Sequence, residues 1–91
     1  SLHRPDWVDP RLSLAQCYLR QKEDEKARET LQEAVRLDSA NARVYLALGA
    51  ANENAGNVHE AEQAYRSAIA HWRGDVRGLA EIEARLAGLS P

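Results

Sequence analysis

The sequence predicts an all-α fold, a right-handed solenoid of helix-turn-helix hairpins with five helices, and three observations predict it. The first is a period: shifted by 34 residues, the chain places Leu14 on Leu48, Ala15 on Gly49, Ala27 on Ala61, Leu31 on Tyr65 and Ala34 on Ala68. A fixed period of this length marks a supersecondary unit that cannot bury its apolar face alone and stacks on its neighbours. The second is that apolar residues within each unit recur at helical spacing, not strand spacing. The third is composition: the chain is 44% hydrophobic yet has no Phe and is only 5% aromatic, so its apolar content is mostly aliphatic residues and Ala. Small side chains suit thin layers of closely packed helices.

Residues 1–8, with Arg4, Pro5, Asp6 and Trp7, lack helical periodicity and read as an extended lead-in to a single domain over 9–91. Asp9 offers an N-cap oxygen and Pro10 suits a first helical position, where a missing N–H costs nothing. Leu14, Cys17 and Tyr18 then follow i, i+3, i+4 spacing and predict a first helix over 10–21. Asp24 is placed to cap a second helix ending near Leu37, with Ala27, Leu31, Ala34 and Val35 as one stripe. The pattern restarts at Asn41, which caps a third helix whose inward positions include Tyr45, Leu48, Gly49 and Asn52. Gly56 ends that helix in the left-handed conformation. A fourth helix over 58–71 repeats the second, with Ala61, Tyr65, Ala68 and Ile69. Gly74 and Asp75 form a stop followed by a cap. A fifth helix, 76–88, has Leu79, Ile82, Leu86 and Leu89 on one side and an i, i+4 pair, Glu81 and Arg85, on the other. The units are therefore repeat one at 8–41, repeat two at 42–75 and a capping helix at 76–88.

A chain of 91 residues with a formal net charge of −2 is one small domain with no bulk attraction for nucleic acid or an anionic membrane. The longest apolar stretch, around Val44–Ala51, is far short of a membrane span. The expectation is a soluble chain, with cytoplasm ahead of periplasm. Cys17 is the only cysteine, so an intrachain disulfide and a cysteine zinc cluster are both excluded. The absence of Met implies a mature chain or a segment of a longer one.

These residues resemble the tetratricopeptide repeat, whose first helix favours a large residue followed by Leu-Gly-x-x-Tyr and whose second favours Ala, an aromatic and Ala. The second copy carries Tyr45, Leu48, Gly49, Gly56, Ala61, Tyr65 and Ala68; the first carries Leu14, Ala15, Tyr18, Ala27, Leu31 and Ala34. Departures are Arg11 for the large apolar residue, Lys22 for the turn glycine, Asn52 for the tyrosine, and Ser39 and Arg73 for the closing proline. The resemblance also implies that Cys17 sits at a buried, small position and is structural.

By the same resemblance the first helix of each repeat lines a concave groove that seats a peptide or helix of a protein partner. The implied groove residues are Leu12, Gln16, Leu19, Arg20, Arg43, Leu46, Ala50, Glu53, Asn54 and Arg77, with Asp9, Ser13, Ala47, Ala80, Glu81 and Ala84 beside them. Leu12, Leu19, Leu46 and Ala50 would take apolar side chains, and Arg43 and Arg77 an anionic group. Some members of the family clamp the terminal carboxylate of a chaperone tail with a Lys/Asn/Asn/Lys/Arg set. Here the corresponding residues are Leu12, Gln16, Ala47, Arg77 and Glu81, so that ligand is not expected.

No catalytic constellation, cofactor loop or metal set stands out. His59 and His71 are 12 residues apart, about 120° around a helix axis, and would not share a metal. Glu25, Glu29 and Glu33, flanked by Lys26 and Arg36, read as a solvated convex face. Trp72 either packs under the fifth helix or marks a contact surface, and Trp7 either staples the first helix or covers an interface. The sequence thus points to a non-catalytic protein-interaction module. The alternative is a structural segment of a longer solenoid, or a self-association unit, with no ligand of its own.

Overall fold

The computed structural model describes residues 5–89, with the backbone alone for 5–9. It contains α1 (Pro5–Arg20), α2 (Asp24–Leu37), α3 (Ala42–Asn54), α4 (Val58–Ala70) and α5 (Val76–Leu89). Each helix packs on the next in sequence, and α1 also touches α3. The stack is two-layered, with α1, α3 and α5 on one side and α2 and α4 on the other.

Small residues at the period-matched positions let the helices approach closely. Ala15, Ala27, Ala34, Ala61 and Ala68 are fully buried, and the larger Leu31, Val44, Tyr65 and Ile82 fill the space between them. Each of those large side chains contributes about 1.5–3 kcal/mol by leaving water. They form two clusters, one between α1, α2 and α3, the other joining α4 to α5 through Tyr65 and Ile82. Gly49 is where α3 meets α4: a Cβ there would lie 2.6 Å from the Tyr65 ring.

The turns follow local chemistry. The Asn41 side chain accepts the Arg43 backbone N–H at 3.0 Å, and Asp75 accepts that of Gly78 at 2.9 Å, so both act as the caps the sequence predicts. Gly56 has φ 82°, and Lys22, its partner in the period, is held at φ 62° without the glycine's freedom.

Four expectations are corrected. α1 begins at Pro5 and runs through Pro10, so the lead-in over 1–8 is not extended throughout. Pro5 stands at the first helical position, where a missing N–H costs nothing, whereas Pro10 is the sixth residue and lies inside the helix, so Asp9 and Pro10 are not its cap and first residue. Asp24 is the first residue of α2, not its cap; Glu23 takes the cap position without a side-chain hydrogen bond. Leu14 is 46% exposed and Cys17 is exposed, because no described helix covers the outer side of α1. Their period partners Leu48 and Ala51 lie in the first cluster, where α2 covers them. Finally, Arg85 interacts with the Tyr65 hydroxyl, and no Glu81–Arg85 ion pair forms among the described residues.

Asn52, standing where the repeat has tyrosine, is buried with its Oδ1 lacking a hydrogen-bond partner. No helix among the described residues is long and apolar enough to cross a membrane.

Candidate functional site

The layer formed by α1, α3 and α5 carries a cavity of about 450 Å³. It is lined by Leu12, Gln16 and Leu19 from α1, Arg43, Leu46, Ala47 and Ala50 from α3, Trp72 from the turn after α4, and Arg85 from α5. Leu12 and Leu19 pack on one core cluster while Leu46 and Trp72 pack on the other, so the cavity spans the seam between the two. Its walls are mostly apolar, with two guanidinium groups and one amide at its edges.

Six of the ten groove residues implied by the sequence therefore meet around one cavity: Leu12, Gln16, Leu19, Arg43, Leu46 and Ala50. Arg20, Asn54 and Arg77 are exposed outside its lining. Glu53 also lies outside it, and its carboxylate accepts the Tyr65 hydroxyl proton at 2.7 Å. Burial first, and then that hydrogen bond, push the Tyr65 phenol up to about 12. Asp9 lies outside the residues whose side chains are described, as do His3 and Trp7.

The period did not point to Trp72 or Arg85, which line the cavity as well. Arg85 coincides with Ala51 at the 34-residue offset, so the repeat predicts a small buried residue there. Trp72 coincides with Asp38, a turn position. Its indole Nε1 donates to the Asp75 carbonyl at 2.9 Å. Its ring also fills the space beside two glycines: a Cβ on Gly74 or Gly78 would lie 2.5 or 2.2 Å from it. Trp72 thus packs against α5, the first of its two readings, and also lines the cavity.

The histidines have separate surroundings. The Nε2 atoms of His59 and Gln63 are 3.2 Å apart, and His71 stacks on Tyr45 with ring centroids 5.6 Å apart. No group of three metal-capable side chains occurs among the described residues. The α2 glutamates face solvent in ion pairs, Glu25 with Arg28 and Glu33 with Arg36 and Arg11. Such exposed pairs contribute little to stability.

Helical hairpins stacked in chain order define this chain as an α-solenoid. Residues 15–56 match the family model of the TPR repeat. The chain also aligns with the solved type III secretion translocator chaperone SycD of Yersinia enterocolitica, at 24% identity and a TM-score of 0.73, over 94% of this chain and 69% of that one. That likeness is one of fold. No curated protein matches the chain. The family match over residues 15–56 and the likeness in fold together support a tetratricopeptide-repeat protein.

Proposed function

We propose that this chain is a non-catalytic protein-interaction module that seats a peptide or a partner helix in its concave groove. The observation that carries this reading is the cavity of about 450 Å³, where apolar residues of α1 and α3 converge with a half-buried tryptophan and polar groups at the rim. A concave, mostly apolar lining with a few placed polar groups is what a binding site requires. TPR repeats generally mediate protein–protein interaction, and a solenoid of this kind is a binding surface first. The similar fold of a translocator chaperone supports a role in holding another protein. A chaperone's carboxy-terminal tail is not the proposed ligand, because Leu12, Gln16 and Ala47 offer no cationic donors and Glu81 would repel a carboxylate. The test compares partners retained by the intact chain with those retained by Leu46→Glu and Leu19→Glu variants of unchanged helicity. Retention of the same partners at the same affinity would overturn the assignment.

A second reading, self-association or service as a segment of a longer solenoid, is favoured by one observation. Leu14 and Cys17 are exposed on α1, whereas their period partners on α3 are covered. Sedimentation across a concentration series separates the two readings, since a chain that stays monomeric throughout argues against obligatory self-association.

A further inference from the structure

The groove does not end at Arg43 and Trp72. These two side chains also line a second cavity, of about 610 Å³, set between the α2–α3 turn and the α4–α5 turn. Asp38, Asn41 and Arg43 face it from the first turn, and His71, Trp72 and Arg73 from the second.

Its walls are held in place. The Tyr45 hydroxyl donates to the Ser39 carbonyl at 2.7 Å, and the Tyr45 ring stacks on His71 with 15° between the planes. One side chain thereby ties the first turn to the end of α4. The Trp72 indole, bonded to the Asp75 carbonyl, ties the second turn to α5.

The cations around it differ from those of α2 and α4. On α2 and α4, cations are met by carboxylates: Lys26 by Glu23, Arg28 by Glu25, Arg36 by Glu33 and Arg66 by Glu62. The guanidinium groups of Arg43 and Arg73 form no ion pair among the described residues. Asp38 is the one carboxylate in the lining, and it already has a partner of its own. A chain of net charge −2 thus places two guanidinium groups that form no ion pair among the described residues at one cavity, adjoining an apolar groove.

We propose that this second cavity receives the carboxylate of an Asp or Glu side chain of a bound peptide whose apolar residues occupy the neighbouring groove. Arg43 and Arg73 supply the charge-assisted hydrogen bonds. The proposal rests on the groove reading and adds to it a chemical requirement on the partner, an acidic residue beside the apolar ones. Arg73 belongs to the turn cavity alone and so separates the two sites. Arg77, the period partner of Arg43, lines neither cavity.

The test is a random dodecapeptide library displayed on phage and selected against the full chain. Enriched peptides should combine apolar residues with Asp or Glu at a fixed spacing. For a synthetic copy of one, replacing the acidic residue by its amide, or Arg73→Glu on the protein, should weaken binding about tenfold and flatten its salt dependence. Selection on Arg73→Glu should favour Lys or Arg in the same place, whereas Leu46→Glu should abolish selection altogether. Arg73 is exposed, and unchanged helicity confirms that its variant is folded. Apolar peptides enriched without an acidic preference, and equally well bound by Arg73→Glu, overturn the turn site and leave the groove standing. A library that yields no enriched peptide overturns both. Binding of a single-stranded oligonucleotide more tightly than any peptide, lost in Arg73→Glu, overturns the carboxylate assignment in favour of a phosphate site.

Discussion

Gly49→Ala sets helix propensity against packing, and the two predict opposite signs. In a helix interior the change should stabilise by about 1 kcal/mol, since alanine orders less backbone freedom on folding. At Gly49 the new methyl carbon would lie 2.6 and 2.7 Å from Cε1 and Cδ1 of Tyr65 and 3.0 Å from Cζ. That ring is fully buried, and its hydroxyl is bound to Glu53 at 2.7 Å, so it has little room to withdraw. Overpacking of this kind costs about 1–3 kcal/mol. Forcing the hydroxyl off Glu53 removes a hydrogen bond to a charged acceptor worth about 1.5–3 kcal/mol. Less the propensity gain, the net is a destabilisation of about 2–4 kcal/mol, or a fall in Tm of roughly 8 °C or more for a chain of this size. Gly88→Ala is the control, because nothing lies within 4 Å of its Cβ position in the last turn of α5. It should stabilise by about 0.2–0.5 kcal/mol. Urea unfolding followed by helical circular dichroism reads both variants. A Gly49→Ala chain as stable as the parent would refute the claim that Tyr65 holds α3 and α4 at their present separation.

Two further outcomes concern the backbone and the buried phenol. Lys22 is held at φ 62°, a conformation that costs an L-residue about 1–2 kcal/mol; after allowing for glycine's larger unfolded-state entropy, Lys22→Gly should stabilise by about 0.5–1 kcal/mol, read as a higher urea midpoint with an unchanged slope. Tyr65, pushed up to about 12 from 10, keeps its proton in the fold after an unfolded chain would lose it; its contribution to stability is complete below pH 10 and lost as pH rises towards 12, and an absorbance titration should show a late tyrosinate step that Tyr65→Phe removes.

The scaffold was legible because its determinants are local. Asn41, Gly56 and Asp75 are short-range signals, and the Ala/Leu/Tyr positions that repeat at 34 residues are those that bury. Where context decides, the same logic fails. Cys17 and Ala51 occupy equivalent positions, yet only Ala51 has a helix laid over it. Arg43 and Arg77 are likewise equivalent, yet Arg77 lies past the turn cavity while Arg43 stands between the two cavities. Arg85 was hidden for a related reason: the period assigns it an alanine's place, and only the packing of α5 on Tyr65 shows where a long cationic side chain goes instead. Leu12, Leu19, Leu46 and Ala50 were recoverable from the repeat because they lie on the exposed side of helices whose buried side is strictly patterned.

Trp72 connects two equilibria. Its ring is both the wall of the groove and the surface on which Gly74 and Gly78 seat α5, a helix with one fully buried anchor, Ile82. A helix with few fully buried residues opens locally at lower cost than the elements that build the core. Each detachment would take the groove wall's support with it, so apparent affinity is scaled by the fraction of chains with α5 docked. By reciprocity, a peptide seated against the indole, as proposed above, would also clamp α5 and hold it docked.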